Sequence, residues 1–292
     1  MKWAHLLQLV YFFLLANVCS AEAIAHQIKR QEMNEAQAYR DEGMKLYGLG
    51  RYEEAVKALE EAVRLKPDYA EAYNDLGVAY AGLDRHEEAV ESFRRAIRLN
   101  PDLAEAYYNL GVECYKRGRL EDALASLKQA VKLRPDYAWA HNNLGAVYFE
   151  LGDYEESVAS YQEAVRHKPE WAEAHCLLAY AYYQSGKHAE AISALRQAIR
   201  LKPDYVEAHN SLGVAQYNAG RDREASESFR QAIRIKPDYA VARYNLGVMS
   251  LARNQKDLAL EQYQVLKMLS RDLADKLYGG LTRGMVLNLI SK

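Results

Sequence analysis

Threonine is almost missing from this chain of 292 residues, in which it occurs once, at Thr282. Cysteine occurs three times and phenylalanine five times, whereas tyrosine occurs 23 times. Strands favour β-branched residues and small disulfide-linked folds need many cysteines, so this composition argues against both. The charged residues are mainly Glu, Lys and Arg, and this mixture favours helices.

Motifs that carry catalysis or bind phosphate are also missing. The chain has no Gly-rich loop ending in Gly-Lys-Ser/Thr, no Gly-x-Ser-x-Gly, no His-Glu-x-x-His and no Cys-x-x-Cys. Acidic and basic residues nearly balance, 40 against 38, so there is no electrostatic reason to expect nucleic acid as a partner. We therefore expect no enzymatic activity, no cofactor and no nucleic-acid binding.

Proline is scarce and regularly spaced. The chain has only six prolines, and each follows the previous one by 34 residues: Pro67, Pro101, Pro135, Pro169, Pro203 and Pro237. A single globular core would not space its prolines in this way. The period indicates one structural unit that is copied along the chain.

Setting each proline at position 32 of a 34-residue repeat gives seven copies. The copies are residues 36–69, 70–103, 104–137, 138–171, 172–205, 206–239 and 240–273. Position 3 is Ala in all seven, position 8 is Gly in all but one, and position 20 is Ala in all but one. Spacings of three, four and seven residues predict two helices in each copy, with a turn near position 15 and a stop at the proline.

These positions resemble the tetratricopeptide repeat (TPR), whose pattern includes Leu at 7, Gly at 8, Tyr at 11, Ala at 20 and 27, and Pro at 32. The resemblance covers roughly residues 36–273. It implies an all-α fold, a right-handed α-solenoid of seven helix-turn-helix repeats with a C-terminal capping helix. It also implies a non-enzymatic protein that binds a protein or peptide in a concave groove.

Both ends of the chain depart from the repeat. Residues 1–21 have a basic start, an apolar run and small residues at the end, which predicts a secretory signal peptide and an exported, periplasmic or secreted protein. A membrane anchor that is never cleaved is one alternative, and a lipoprotein site at Cys19, which Asn17 and Val18 fit poorly, is another. No Asn-x-Ser/Thr sequon is present, which favours a bacterial envelope protein. Residues 22–35 are predicted to be a helical lead-in, and residues 274–292 a capping helix that ends at Gly279-Gly280, followed by an apolar tail.

A second stripe of residues on each first helix is predicted to bind the partner. Positions 2, 5, 9 and 12 lie about 130° away from the core-facing positions on a helical wheel, yet many of them are aromatic or apolar. Exposed apolar surface of this kind usually marks a binding site, and Asn amides nearby suit an extended peptide backbone. The predicted contact residues are Tyr47, Tyr108, Asn109, Tyr115, Trp139, Asn142, Asn143, Phe149, Tyr180, Tyr183, Asn210, Tyr217, Tyr244 and Asn245.

Three histidines invite a metal hypothesis but share one repeat position. His141, His175 and His209 all occupy position 4, and successive repeats place them too far apart to bind one ion. They are predicted to be packing residues, and no metal site is expected. Two functions remain open: a scaffold or adaptor that holds an extended segment, or an accessory subunit of an envelope enzyme such as a glycosyltransferase.

Overall fold

The computed structural model describes residue 27, residues 29–283 and residue 289. Every regular element within these residues is a helix, which confirms the predicted all-α fold. The first six helices are α1 (29–48), α2 (Tyr52–Leu65), α3 (Ala70–Gly82), α4 (His86–Leu99), α5 (Ala104–Lys116) and α6 (Leu120–Leu133). The others are α7 (Ala138–Leu151), α8 (Tyr154–His167), α9 (Ala172–Gln184), α10 (His188–Leu201), α11 (Val206–Asn218), α12 (Asp222–Ile235), α13 (Ala240–Ala252), α14 (Lys256–Leu269) and α15 (Arg271–Arg283).

The chain forms two compact units, Met1–Pro135 and Asp136–Lys292. Within each unit the first helix of a repeat packs against the second helix of the same repeat, as in the pairs α3–α4 and α7–α8. Each second helix also packs against the first helix of the next repeat, as in α4–α5 and α8–α9. Helix pairs stacked in this order are the architecture of an α-solenoid.

Backbone geometry explains where the helices end. The turn after a first helix has positive φ at Gly50, Gly118, Gly152, Gly186 and Gly220, a conformation that glycine adopts without steric cost. Asp84 and Asn254 take the same conformation in their repeats, with φ of 56° and 57°. Each second helix from α2 to α12 ends two residues before a proline, because the residue before proline is disfavoured in the helical region.

Small side chains bring the helices together. Position 3 is Ala, and it is fully buried in every repeat from Ala72 to Ala242. The glycines at position 8 face a large side chain of the neighbouring helix, so that a Cβ on Gly145 would lie 2.9 Å from the ring of Tyr161. Where Ser157 replaces Ala at position 20, its hydroxyl donates to the carbonyl of Gly145 at 2.8 Å and is satisfied in the core. The core is therefore built on backbone approach as much as on large side chains.

The two ends differ from the sequence-based boundaries. α1 includes much of the lead-in, because residues 29–35 are helical and continue into the first repeat. α15 begins at Arg271, before the expected boundary at 274, and runs through Gly279 and Gly280 instead of ending there. The predicted signal peptide and the apolar tail lie outside the described residues, Leu289 excepted. Among the described helices, none is long and apolar enough to span a bilayer.

Candidate functional site

The first helices of neighbouring repeats contact one another directly, α3 with α5 in the first unit and α11 with α13 in the second. Positions 2, 5, 6, 9 and 12 of these helices form the surface that we call the first-helix face. It carries the aromatic and Asn residues selected from the sequence. Each of the two compact units carries such a face.

In the first unit the first-helix face contains a pocket of about 250 Å³. Its apolar wall includes Val78 and Val112 at position 9, and the half-buried ring of Tyr47 closes one side. Tyr47 is held by the ring of Tyr52, whose centroid lies 5.2 Å away. Asn109 adds an amide to the lining, so the pocket offers both apolar area and hydrogen-bonding groups.

A buried carboxylate, missed by sequence reasoning, also lines this pocket. Glu113 is 2% exposed, and its Oε1 lies 2.7 Å from Nδ1 of His86. The contact lacks the alignment of a hydrogen bond, so we treat the two groups as a close polar pair rather than a bonded one. A signal existed: position 10 is otherwise Ala, Val or Met from the second repeat onward, and a glutamate there is an exception.

Asparagines at positions 5 and 6 pair across neighbouring repeats. In the first unit Asn109 Nδ2 donates to Asn74 Oδ1 at 2.9 Å. In the second unit Asn245 Nδ2 donates to Asn210 Oδ1 at 2.8 Å. The members of each pair are 35 residues apart, which is one repeat plus one residue.

This pairing corrects part of the predicted contact surface. Asn210 and Asn245 are fully buried, and the Asn245 amide donates to the Asn210 carbonyl oxygen inside the stack. Tyr244 is only 3% exposed, since it belongs to a core cluster with Leu273 and Leu277 of α15. These three side chains are thus inaccessible to a partner in this conformation.

Asn142 has the same repeat position as Asn74 and Asn210 but a different neighbour. The residue 35 positions later is Leu177, which has no amide to offer. Asn142 Oδ1 is buried and has no hydrogen-bond partner, although the side chain as a whole is half-buried. Burying an unpaired acceptor is costly, so a turn of this half-buried amide that exposes the oxygen to a ligand N–H would be favourable.

Tyrosines of the second unit are fixed by hydrogen bonds between repeats. The hydroxyl of Tyr180 lies 2.9 Å from Ser211 Oγ, and the hydroxyl of Tyr183 accepts a hydrogen bond from Asn218 Nδ2 at 2.6 Å. Burial raises the pKa of Tyr180 well above its usual range, so its hydroxyl stays protonated. Tyr183 and Tyr217 are half-buried, so part of each ring reaches the surface.

The remaining predicted contact residues keep some exposed area. Trp139 is 45% exposed, and its ring lies 4.1 Å from that of Trp171, with the Lys168 ammonium 4.4 Å from the Trp139 centroid. The amide of Asn143 donates to the Trp139 carbonyl at 3.0 Å, which anchors it at the start of α7. Half-buried positions are taken by Tyr108, Tyr115, Asn143 and Phe149.

The position-4 histidines do not all have the same surroundings. His175 and His209 each place Nε2 2.9 Å from a proline carbonyl, of Pro169 and Pro203 respectively. His141 instead lies near Glu163 and His167 of α8, and one possible ligand atom from each of the three residues lies within 4.8 Å of the others. Among the described residues this is the one group of at least three such side chains with metal-binding spacing.

Comparison with protein families identifies the fold. Models described as "TPR repeat" or "Tetratricopeptide repeat" match residues 113–152, 145–186 and 179–220, residues 40–104 and 223–272, residues 206–239, and residues 92–125. Together these matches cover residues 40–272 without a gap. The chain therefore belongs to the tetratricopeptide repeat family, whose members are protein-interaction scaffolds. No curated protein sequence matches it significantly.

Solved structures agree with this assignment. A MamA protein is 26% identical, with a TM-score of 0.52 over 58% of this chain and 93% of that one. YrrB, described as "a TPR protein with an unusual peptide-binding site", is 21% identical, with a TM-score of 0.59 over 64% of this chain and 96% of that one. PilF of Pseudomonas aeruginosa is 20% identical, with a TM-score of 0.62 over 71% and 94%. The last two likenesses show the fold.

Proposed function

We propose that this protein is a non-enzymatic scaffold or adaptor of the cell envelope, which binds an extended polypeptide segment along its first-helix face. The observation that carries the proposal is the pocket of about 250 Å³ in the first unit, where Tyr47, Val78 and Val112 meet the amide of Asn109. A pocket whose lining combines apolar and polar groups can take one side chain and fix the backbone beside it.

Asn142 supports the same reading in the second unit. Its buried Oδ1 has no partner, while the equivalent oxygens of Asn74 and Asn210 are bonded to asparagines. A peptide N–H would satisfy this acceptor once the amide turns towards the surface, because an extended backbone presents donors that are not used within its own chain. Half-buried Tyr183 and Tyr217, on the first helices of the next two repeats, would supply apolar contact area.

The partner can be trapped by a photo-crosslinking amino acid at Tyr47 or Tyr183 in the full chain, expressed in cells. The matched control is Tyr278, which is 50% exposed on α15 and lies outside the first-helix face. We expect the same partner from the two face positions and none from Tyr278. Equal capture at all three positions would argue against a specific site on this face.

A triple variant tests how much the aromatic rings of the face contribute to partner binding. It combines Tyr115→Ala, Phe149→Ala and Tyr183→Ala. These rings keep exposed area, so their truncation should weaken binding strongly, while Tyr278→Ala should leave it unchanged. If the triple variant retains every partner, the first-helix face is not the binding site. Capture of a transferase or hydrolase would favour the accessory-subunit alternative.

Export is part of the proposal and rests on the pattern of residues 1–21. Fractionation of cells that express the full chain should recover it outside the cytosol. Mass spectrometry of its N-terminus should find the first 20 or 21 residues removed. A full-length product in the membrane fraction would indicate the uncleaved anchor instead.

A further inference from the structure

The fourth repeat has an unusual residue at one position and an unusual combination at three. Position 30 is Leu in five of these six and Ile in the other, but it is His167 in the fourth repeat. Position 4 of the same repeat is also a histidine, His141, and position 26 is Glu163. His175 and His209 have Gln and an aliphatic residue at the two equivalent positions, so the combination occurs in this repeat alone.

The structure brings the three side chains together at one end of the α7–α8 pair. Glu163 and His167 are one helical turn apart on α8, with Glu163 Oε2 3.6 Å from His167 Nε2. His141 on α7 places its ring 6.0 Å from that of His167, at an interplanar angle of 18°. All three residues are half-buried, and one possible ligand atom from each lies within 4.8 Å of the others.

We propose that His141, Glu163 and His167 bind a late first-row divalent metal ion, with Zn²⁺ as the best match to the ligand set. Two imidazoles and one carboxylate are a known protein ligand set for zinc, and water takes the fourth position. Bonds of about 2.1 Å at tetrahedral angles place ligand atoms about 3.4 Å apart. The ligand atoms lie within 4.8 Å of one another, so rotation of the side chains has to bring them to that spacing when an ion binds.

An arginine contacts two of the three proposed ligand residues in this structure. Arg166 Nη2 lies 2.8 Å from His167 Nε2, and Arg166 Nε donates to Glu163 Oε2 at 2.9 Å. Arginine has no acceptor, so His167 Nε2 presents its lone pair outward, as metal binding requires. The Arg166 side chain is 62% exposed and can turn into solvent when an ion binds. Arg166 is therefore a competitor for the same two ligand atoms.

The proposal is tested by calorimetric titration of the chelator-treated full chain, without a histidine tag, with Zn²⁺. We expect one ion per chain, bound more weakly at acidic pH because imidazole binds metal only in its neutral form. His141→Ala and His167→Leu should each weaken binding by at least about 10-fold, the lower end of the loss that outer-shell changes already cause. His167→Leu introduces the residue that five other repeats have at this position, so it should fold normally.

Two further variants make the result specific. Arg166→Ala removes the competitor and should tighten Zn²⁺ binding, whereas an adventitious surface histidine would not respond in this way. His209→Ala, at the same repeat position but without the α8 partners, should leave the affinity unchanged. The described residues contain two tryptophans, Trp139 and Trp171, and both belong to this repeat, so their quenching by Cu²⁺ gives a second readout. Absence of saturable binding, or equal affinity in His167→Leu, would overturn the proposal.

Discussion

Replacing Gly213 by alanine tests the close helix approach on which the fold depends. An added Cβ would lie 2.5, 2.7 and 2.9 Å from three ring carbons of Phe229, which is fully buried. The ring packs against Leu246 and Met249 of the next repeat and has little room to move. Overpacking a filled core costs about 1–3 kcal/mol, whereas the helix propensity of alanine recovers about 1 kcal/mol. We expect a net destabilisation of up to about 2 kcal/mol.

The fifth repeat supplies the matched control, because it pairs Ala179 at position 8 with Leu195 at position 24. Copying that pair with Gly213→Ala and Phe229→Leu should remove the clash. The double variant should therefore lose less free energy of unfolding than the two single variants lose together. Urea unfolding followed by far-UV circular dichroism gives the three free energies. If Gly213→Ala is as stable as the parent chain or more so, steric contact at position 8 does not limit the packing.

Three other changes follow from buried or strained groups. Asn245→Ala should lower the free energy of unfolding by about 1–3 kcal/mol because the buried oxygen of Asn210 loses the hydrogen bond from Asn245. The double alanine variant, measured by the same urea titration, should cost less than the two single losses together. A Cβ on residue 152 would have open space around it, but φ there is 85°, so Gly152→Ala should lower the free energy of unfolding by about 1–2 kcal/mol through backbone strain alone. Gly152→Asn should lower it less, since Asn254 adopts this conformation. Equal losses of stability in the two variants would refute the reasoning. Burial raises the pKa of Cys176 to about 11, so the reactive thiolate is scarce at neutral pH. Mass spectrometry should find that the native chain is alkylated slowly, and faster at higher pH or in urea. Rapid alkylation of the native chain at neutral pH would show that the thiol is not shielded.

The helices were predictable because their signals are local. Proline removes a backbone donor and restricts the residue before it, and glycine allows positive φ, so Pro67 and Gly50 mark the ends of helices without reference to the rest of the chain. The prediction that a helix ends at glycine was wrong at α15, where Gly279 and Gly280 lie inside the helix. Packing of Leu273 and Leu277 against α13 and α14 outweighs the low helix propensity of two glycines there.

The candidate site was only partly predictable, because exposure depends on what the neighbouring repeat presents. Asn142 and Asn210 have the same repeat position, yet one keeps an unpaired oxygen and the other is buried against Asn245. Once it is known that position 5 of one repeat meets position 6 of the next, the residue 35 positions later in the sequence shows which Asn has a partner. That pairing itself was visible only in the stacked helices.

The sequence by itself determined the repeat period, the family and the register, since these follow from local backbone preferences and from small residues recurring at fixed spacing. Only the tertiary structure decided which polar groups meet. It buried Glu113 beside His86 and brought His141 to Glu163 and His167, contacts between residues 22 to 27 positions apart. The reason is physical. A helical wheel gives the direction of a side chain on its own helix, but the packing of the neighbouring helix decides which side chain it meets.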